Sequence, residues 1–297
     1  MMSISESFIK LLSRIQPSDT ESEKATAHVS TIKSRLEKYF TLSKFELIGS
    51  HSRSSAIKRY SDVDYFALFS REDVRWGEKY IDSRTLLNRV ARVLKGRYTE
   101  TTIRRDGQAI IVNFGDGNYA VDIVPAFFEE FDNELKSPMY SIPDGVGGWT
   151  MTSPKCHNRF ILDANVKSNS SLIEIAQLIK YWQNCRISRI SLKTFHLEMI
   201  LASSGIFNEA TSYAELILET FDLLYKRQCR PLRDPLKISG YINATNTELQ
   251  RDNLFNAISI SRDRAIRALE LESKGKIISA HKLWSIIFNN RFPSFTK

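Results

Sequence analysis

A glycine-serine pair and two closely spaced aspartates lie together in the stretch from Gly49 to Asp64. Gly49-Ser50 follows an apolar run, and a turn of this kind after a strand can expose backbone N–H groups that bind an anion. Asp62 and Asp64 are two residues apart, so on a strand their side chains point to the same face and can share a divalent metal. The stretch therefore predicts chemistry on a nucleoside triphosphate.

Asp122 is a third carboxylate, and it lies within the apolar run from Tyr119 to Pro125. A lone aspartate in a buried strand is costly unless it is paired or bound to a metal, so we expect Asp122 to join Asp62 and Asp64. A simpler interpretation is that Asp62 and Asp64 only cap or solvate a strand start. The ordered combination of the Gly-Ser pair with all three carboxylates argues against that interpretation.

Polymerase-type nucleotidyl transfer uses two divalent cations about 4 Å apart, one at the attacking hydroxyl and one at the triphosphate. We expect Asp62 and Asp64 to bridge both ions and Asp122 to hold the ion beside the hydroxyl, where Asp122 would also be the general base. Ser50 and nearby backbone amides would hold the terminal phosphates. Mg²⁺ is the expected ion, with Mn²⁺ as an alternative, because Mg²⁺ sites mix carboxylates with phosphate oxygens.

The elements that position these residues can be predicted from apolar periodicity. Strands are predicted over 44–48, 65–69, 98–103, 109–114 and 119–125. Helices are predicted over 3–16, 18–40, 82–95, 154–165, 170–185, 191–204, 209–228, 246–273 and 276–289. Residues 115–118 have the composition of a hairpin turn, and the Pro- and Gly-rich stretch 137–153 is expected to be a long loop. The change from strands to helices places a domain boundary near Ser153.

The composition restricts the class of protein. The chain has 297 residues, of which 42% are hydrophobic and 26% charged, as is ordinary for a globular protein. No apolar run approaches the roughly 20 residues that span a bilayer, and the N-terminus lacks the pattern of a secretory signal. We therefore expect no membrane partner and a cytoplasmic location. The net charge of +8 favours anionic partners, from triphosphates to nucleic acid, without choosing between them.

Three segments together resemble the signature of the polymerase-β-like nucleotidyltransferase superfamily: Gly49-Ser50, Ser61-Asp62-Val63-Asp64 and Val121-Asp122-Ile123-Val124-Pro125. Within it, the chain resembles the bacterial cGAS/DncV-like nucleotidyltransferases (CD-NTases), which are related to oligoadenylate synthase. Residues 178–182 and 192–198 resemble the two helix motifs that carry triphosphate-contacting lysines, here Lys180 and Lys193. Periodicity alone would leave both lysines solvated on a helix surface.

The resemblance implies an α+β, bilobed fold. Residues 1–153 would form the catalytic lobe, a mixed sheet with helices that include N-terminal spine helices, and residues 154–297 a helical lobe that closes over the nucleotide. The nucleotide-binding residues would be Gly49, Ser50, Ser61, Asp62, Lys180 and Lys193, and the catalytic and metal-binding residues would be Asp62, Asp64 and Asp122. Ser54-Ser55 stands where many members carry Gly-Thr, so this loop lacks the conformational freedom of glycine.

The implied activity is the Mg²⁺-dependent joining of nucleoside triphosphates into cyclic di- or oligonucleotides with release of pyrophosphate. The substrates would be ATP and, as further candidates, GTP, UTP and CTP. The product would activate a separate effector protein in antiphage (CBASS-type) defence, while no motif supports an RNA or protein activator. The alternatives are nucleotidyl transfer to an RNA end, a small molecule or a protein, and an inactive nucleotide- or RNA-binding module, against which the three aspartates argue.

Overall fold

The computed structural model describes residues 3–18, 28–98, 101–114, 120–188, 190–208 and 212–295 of the chain. The helices are α1 (Ile4–Ile15), α2 (Val29–Glu37), α3 (Gly49–Ser52), α4 (Ser83–Lys95), α5 (Pro154–Lys167), α6 (Ser171–Asn184), α7 (Thr194–Ser203), α8 (Tyr213–Lys226), α9 (Glu248–Ser273) and α10 (Ile277–Ile287). The strands are β1 (Leu42–Leu47), β2 (Val63–Phe69), β3 (Arg75–Trp76), β4 (Lys79–Tyr80), β5 (Thr102–Asp106), β6 (Ala109–Asn113), β7 (Val121–Asp132), β8 (Ser137–Pro143), β9 (Trp149–Thr152), β10 (Leu232–Arg233) and β11 (Tyr241–Ile242). The predicted turn at 115–118 and residues 19–27 of the predicted second helix lie outside the described residues.

Residues 17–159 form one compact unit, which is built on a mixed sheet. The strand order is β1-β2-β7-β6-β5, and β8 pairs with the second half of β7 and with β9. β2 and β7 run parallel, whereas the other pairs in this sheet are antiparallel. The predicted mixed sheet with helices is confirmed.

Side-chain alternation divides this sheet into a core face and a site face. The core face is apolar and packs against α2 and α4. Its residues are Val63, Tyr65, Ile103, Ile110, Val112, Val121 and Ile123, with Ile32 and Leu36 of α2 and Leu86, Leu87, Val90 and Leu94 of α4. The site face carries Asp64 and Asp122, and farther along the strands it packs a smaller cluster of Phe66, Leu68, Ala126 and Tyr140. The carboxylates are therefore kept off the main core.

The prediction of a long loop over residues 137–153 is wrong. These residues form β8 and β9, a hairpin in which the Asp144 carboxylate accepts hydrogen bonds from the Val146 and Gly148 N–H groups. The prolines and glycines point to a loop when only the sequence is considered. Pro138 and Pro143, however, stand near the two ends of β8, where a missing N–H is tolerated.

The strand predicted over 98–103 is also misplaced, since β5 is Thr102–Asp106. Asp106 pairs with Ala109 across a two-residue turn, and Gly107 has a φ of +55°. Glycine is favoured at the first position of such hairpin turns, so the turn sets the ends of both strands. The other predicted strands and helices are present with shifted ends, and β7 continues past Pro125 to Asp132.

The second compact unit combines residues 1–16 with residues 160–297. Phe8 on α1 makes edge-to-face ring contacts with Trp284, Phe288 and Phe292, at centroid distances of 5.1, 6.1 and 4.8 Å. α1 thus packs with the C-terminal helices, whereas the sequence pattern groups it with the N-terminal lobe. Periodicity shows that α1 has an apolar face but does not show which distant residues cover it. Among the described residues, no helix combines the length and apolar character needed to cross a bilayer.

Candidate active site

Asp64 and Asp122 lie opposite each other on neighbouring parallel strands. Their Cα atoms are partners in the register of β2 and β7, and directly paired residues point to the same face of a sheet. Asp62 immediately precedes β2 and has an exposed side chain. The structure therefore brings Asp64 and Asp122 together near the N-terminal ends of two adjacent strands, with Asp62 just before one of these strands.

Gly49 packs directly against the Asp64 carboxylate. A Cβ on Gly49 would lie 1.9 Å from Asp64 Oδ2 and 2.6 Å from Asp64 Cγ, and the φ of Gly49 is +67°. Both the lack of space and the left-handed backbone require glycine here. The Ile48 N–H also donates a 2.9 Å hydrogen bond to the Asp64 carbonyl. As a result, the first residue of the short helical turn α3 contacts Asp64, which is one of the predicted metal ligands.

Asp122 lies in an environment that disfavours its charge. Burial first, and then the charges of Asp62, Asp64 and Asp106, raise the pKa of Asp122 to about 8, while Arg104 lowers it. The buried Asp122 Oδ1 has no hydrogen-bond partner among the described residues. A cation bound here would offset the like-charge repulsion and satisfy that oxygen.

These features fit a hard divalent cation, because oxygen donors with net negative charge are what Mg²⁺ binds in proteins. The carboxylates are not yet in ligand geometry, however. In the part of the chain that the structure describes, no group of three or more His, Cys, Asp or Glu side chains is arranged to hold a metal ion. The donor chemistry suits the ion, and the present arrangement does not coordinate it.

The loop after Gly49 is tied to α5 by a buried arginine. Arg53 is 5% exposed, and its Nη1 donates a 2.6 Å hydrogen bond to Asn158 Oδ1. Asn158 Nδ2 donates to Ser52 Oγ at 3.2 Å, and Ser52 Oγ donates to the Gly49 carbonyl at 2.9 Å. This chain of hydrogen bonds links α5 to the residue that packs on Asp64. Sequence reasoning missed Arg53 and Asn158, since they are 105 residues apart and belong to no recognisable motif.

Ser50 and Ser61, which were predicted to bind the nucleotide, are 7% and 9% exposed. The Ser50 carbonyl accepts a 2.9 Å hydrogen bond from the Ser55 N–H, and Ser61 Oγ accepts one of 2.9 Å from the Ile57 N–H. Ser54, at the position where the family resemblance leads us to expect glycine, has a φ of +58°. The loop therefore retains the left-handed turn that glycine favours, at the expense of some strain.

Lys180 and Lys193 belong to the helical unit and have different environments. Lys180 Nζ lies 2.5 Å from Glu198 Oε1, and the two side chains are 2% and 0% exposed. Lys193 directly precedes α7 and is exposed. His196 is buried, with Nδ1 2.9 Å from the Ile242 carbonyl, and burial lowers its pKa. Phosphate contact by either lysine stays a prediction.

Solved structures share this fold. CdnC of E. coli MS115-1, whose structure was solved with ATP, matches the chain with a TM-score of 0.73 and 18% identity, over 98% of this chain and 99% of CdnC. The α+β fold with a helical C-terminal part is thereby confirmed.

Residues 2–165 match the model of the Second Messenger Oligonucleotide or Dinucleotide Synthetase domain (SMODS), and the protein belongs to this family. A probable cyclic nucleotide synthase from Bacillus cereus (strain VD146) is 27% identical over 282 residues, which cover 83% of this chain and 81% of the relative. A cyclic AMP-AMP-AMP synthase from Acinetobacter sp. (strain ATCC 27244 / 9458) is 24% identical over 315 residues, which cover 99% of this chain and 86% of the relative. The predicted relationship to CD-NTases and the predicted nucleotidyltransferase activity in cyclic nucleotide synthesis are confirmed.

Proposed function

We propose that this enzyme joins nucleoside triphosphates into a cyclic di- or oligonucleotide at a site formed by Asp62, Asp64 and Asp122, with Mg²⁺ as its cofactor. The observation that supports this proposal best is the pairing of Asp64 with Asp122 across β2 and β7, with Gly49 packed on the Asp64 carboxylate. A pair of carboxylates in register on one face can bind a cation, and the turn at Gly49 brings backbone N–H groups beside that pair.

In the transfer step, a ribose hydroxyl of the acceptor attacks the α-phosphorus of the donor triphosphate. A new oxygen–phosphorus bond forms, the bond between the α-phosphorus and the α–β bridging oxygen breaks, and pyrophosphate leaves with the electron pair. When bound, Mg²⁺ supplies charge neutralisation at the phosphates and acidifies the attacking hydroxyl. Asp122, on the site face beside Asp64, would accept the proton of that hydroxyl.

The terminal phosphates of the donor would be held by backbone N–H groups at Gly49 and Ser50, with Ser61 shaping the loop between Ser50 and Asp62. Lys193 is the better of the two lysine candidates because its side chain is exposed. Lys180 could contact a phosphate only if its ion pair with Glu198 opened.

ATP is the first substrate to test, since the structure of CdnC was solved with ATP and one relative is a cyclic AMP-AMP-AMP synthase. GTP, UTP and CTP are further candidates, and Mn²⁺ is an alternative ion. We further propose that the product activates a separate effector protein in antiphage (CBASS-type) signalling within the cytoplasm. The support for this biological role is the second-messenger family to which the chain belongs.

The proposal is tested by incubating the protein with all four nucleoside triphosphates and Mg²⁺ or Mn²⁺, treating the mixture with phosphatase, and identifying resistant products by mass spectrometry. A cyclic product that disappears in the Asp64→Ala and Asp122→Ala variants supports it. Only unreacted nucleosides, across both metals and a range of pH, would contradict it. Label from an α-labelled triphosphate appearing on added RNA or protein, with no resistant small product, would point instead to a macromolecular acceptor.

A further inference from the structure

Four residues form a row across the site face, one on each of four adjacent strands. Asp64 on β2 pairs with Asp122 on β7, Asp122 pairs with Ile111 on β6, and Ile111 pairs with Arg104 on β5. Because directly paired residues share a face, Arg104 projects from the same face as the two carboxylates. With strands about 4.8 Å apart, its Cα lies about 10 Å from that of Asp122.

The guanidinium of Arg104 is an exposed positive charge on the site face. Arg104 forms an exposed ion pair with Asp106, in which Nη1 donates a 2.8 Å hydrogen bond to Oδ2, and the two side chains are 52% and 54% exposed. An exposed ion pair of this kind contributes only about 0–1 kcal/mol, so an incoming phosphate can replace Asp106. The charges of Arg104 and Asp106 also act on Asp122, as expected for groups that face the same space.

The two ends of this row differ, because Asp64 lies at one end and Arg104 at the other. Gly49 packs on Asp64, at the β2 end, and the proposed site for the donor phosphates is there. The α-phosphorus would lie over Asp64 and Asp122, which leaves the β6 and β5 side of the face for the acceptor. Ile111, which is 7% exposed and uncharged, lies between Asp122 and Arg104 in this row.

We propose that Arg104 binds the phosphates of the acceptor, which is a nucleoside triphosphate in the first transfer and a linear oligonucleotide in later ones. This inference rests on the proposed function. A cation on the acceptor side of the reaction centre favours an acceptor that carries phosphates over one that offers only an uncharged hydroxyl group. The planar guanidinium of Arg104 can form paired hydrogen bonds to phosphate oxygens, so Arg104 would select anionic acceptors and hold the linear intermediate until the next transfer.

Donor and acceptor can be separated with two analogues. A 2′,3′-dideoxynucleoside triphosphate has no ribose hydroxyl and serves only as donor, while an α,β-methylene triphosphate cannot release pyrophosphate and serves only as acceptor. The KM for each is measured by varying one at saturating concentration of the other, in the wild type and in Arg104→Ala, Arg104→Lys and Asp106→Asn. Arg105→Ala is the matched control, because Arg105 is the next residue on β5, is also exposed and points to the opposite face.

We expect Arg104→Ala to raise the acceptor KM about tenfold or more, as loss of a charge-assisted hydrogen bond does, and to leave the donor KM within about twofold. Arg104→Lys should recover part of the loss and Asp106→Asn should lower the acceptor KM, while Arg105→Ala should change neither constant. The wild type should also prefer a triphosphate to a nucleoside monophosphate acceptor, and Arg104→Ala should lose this preference.

Equal changes in both KM values, or an unchanged preference for triphosphate acceptors in Arg104→Ala, would overturn the assignment. Suppose that the wild type makes cyclic product from natural triphosphates and that Arg104→Ala has the same donor and acceptor KM values as Arg105→Ala. This result would disprove the role of Arg104 and leave the proposed function intact. A wild type that makes no product from natural triphosphates would remove the proposed function, and this inference with it. Thermal melts of each variant identify any loss that comes from misfolding.

Discussion

The Cα of Gly49 and the carboxylate of Asp64 are in direct contact, and a Cβ on Gly49 would lie 1.9 Å from Asp64 Oδ2. Such a separation is far below any non-bonded contact, so one of the two groups would have to move. Because Asp64 is fixed on β2 in register with Asp122, a change at Gly49 is transmitted to the carboxylate pair. The turn and the paired carboxylates therefore act as one unit.

The variant Gly49→Ala should lose activity by about 100-fold or more, because the added Cβ displaces the Asp64 carboxylate and misplacement by about 1 Å is enough for such a loss. Product formation from nucleoside triphosphates measures the effect. Gly77→Ala is the control, since Gly77 has a similar φ of +62° but nothing within 4 Å of its Cβ position. Both variants carry the same backbone strain of about 1–2 kcal/mol, so equal activities in the two would contradict the role of the contact.

The variant Asp122→Asn should be inactive and, without metal, more stable than the wild type at neutral pH. In the folded protein the pKa of Asp122 is raised to about 8, so the folded state binds a proton that the unfolded state releases above about pH 4. Stability is therefore highest below about pH 4 and is lost as the pH rises toward 8. Asparagine carries no charge and avoids this loss, which is on the order of a few kcal/mol.

The measurement is the melting temperature of both proteins in EDTA from pH 4 to pH 8. The advantage of Asp122→Asn should be small near pH 4 and should grow steadily toward pH 8. Asp263→Asn, at an exposed carboxylate of the helical unit, should show no such trend. A difference between Asp122→Asn and the wild type that stays constant with pH would show that Asp122 is ionised without penalty.

Addition of Mg²⁺ should stabilise the wild type and have little effect on Asp122→Asn. A cation at the site offsets the repulsion among the three carboxylates, and binding to the folded state alone adds about 2.7 kcal/mol at a hundredfold excess over Kd. Melting temperatures in EDTA and in Mg²⁺ at pH 8 test this, with NaCl at equal ionic strength as the control. If both proteins respond equally, the ion acts elsewhere.

The variant Asn158→Ala should weaken nucleotide binding without touching the carboxylates. Arg53 would lose an acceptor at 2.6 Å and Ser52 a donor at 3.2 Å, so the loop that begins at Gly49 would be less well fixed. We expect a loss of about 1–3 kcal/mol in stability and a several-fold rise in the KM for triphosphate. Asn158→Asp keeps the acceptor for Arg53 and should retain most of the stability. An unchanged KM in a clearly destabilised Asn158→Ala would confine the network to a structural role.

The two lysines should respond oppositely to substitution. Lys180→Met removes the cation that lies 2.5 Å from the Glu198 carboxylate, whose side chain is 0% exposed, and should cost about 3–5 kcal/mol in stability. The double variant Lys180→Met/Glu198→Leu should recover much of that loss. Lys193→Ala should melt like the wild type and, if Lys193 contacts the triphosphate, raise its KM. A Lys180→Met protein of normal stability with a raised KM would show that Lys180 is the phosphate ligand.

Local spacing in the sequence predicts where the candidate carboxylates lie along the chain. Asp64 and Asp122 are expected on strands and lie on β2 and β7, whereas Asp62, expected on the same strand as Asp64, lies just before β2. The parallel pairing of Asp64 with Asp122 depends on tertiary contacts between segments that are far apart in the chain, and no local signal specifies it. The same holds for Arg53 with Asn158 and for Lys180 with Glu198, whose partners lie on other elements.

The hairpin of β8 and β9 shows a different limit. Its prolines and glycines are turn-forming by intrinsic preference, yet pairing with β7 and the hydrogen bonds at Asp144 make the segment a strand pair. Tertiary context therefore overrides propensity there. The register of Arg104 shows the same limit, because an Asp106-Gly107 turn would pair Arg104 with Ala109, whereas the observed turn at Gly107-Gln108 pairs Arg104 with Ile111.

The ring contacts of Phe8 with Trp284 and Phe288 have a consequence for biosynthesis. Residues 17–159 are continuous in the chain, so that unit can fold as soon as it has left the ribosome. Trp284 and Phe288 are made roughly 15–60 s after α1, at typical rates of translation. Tyr213, whose ring centroid lies 6.2 Å from that of Phe8, is made earlier, but until Trp284 and Phe288 follow, Phe8 lacks its edge-to-face contacts with them. A nascent chain stalled before residue 284 would leave this part of the apolar face exposed to chaperones and proteases, even with Asp62, Asp64 and Asp122 already synthesised.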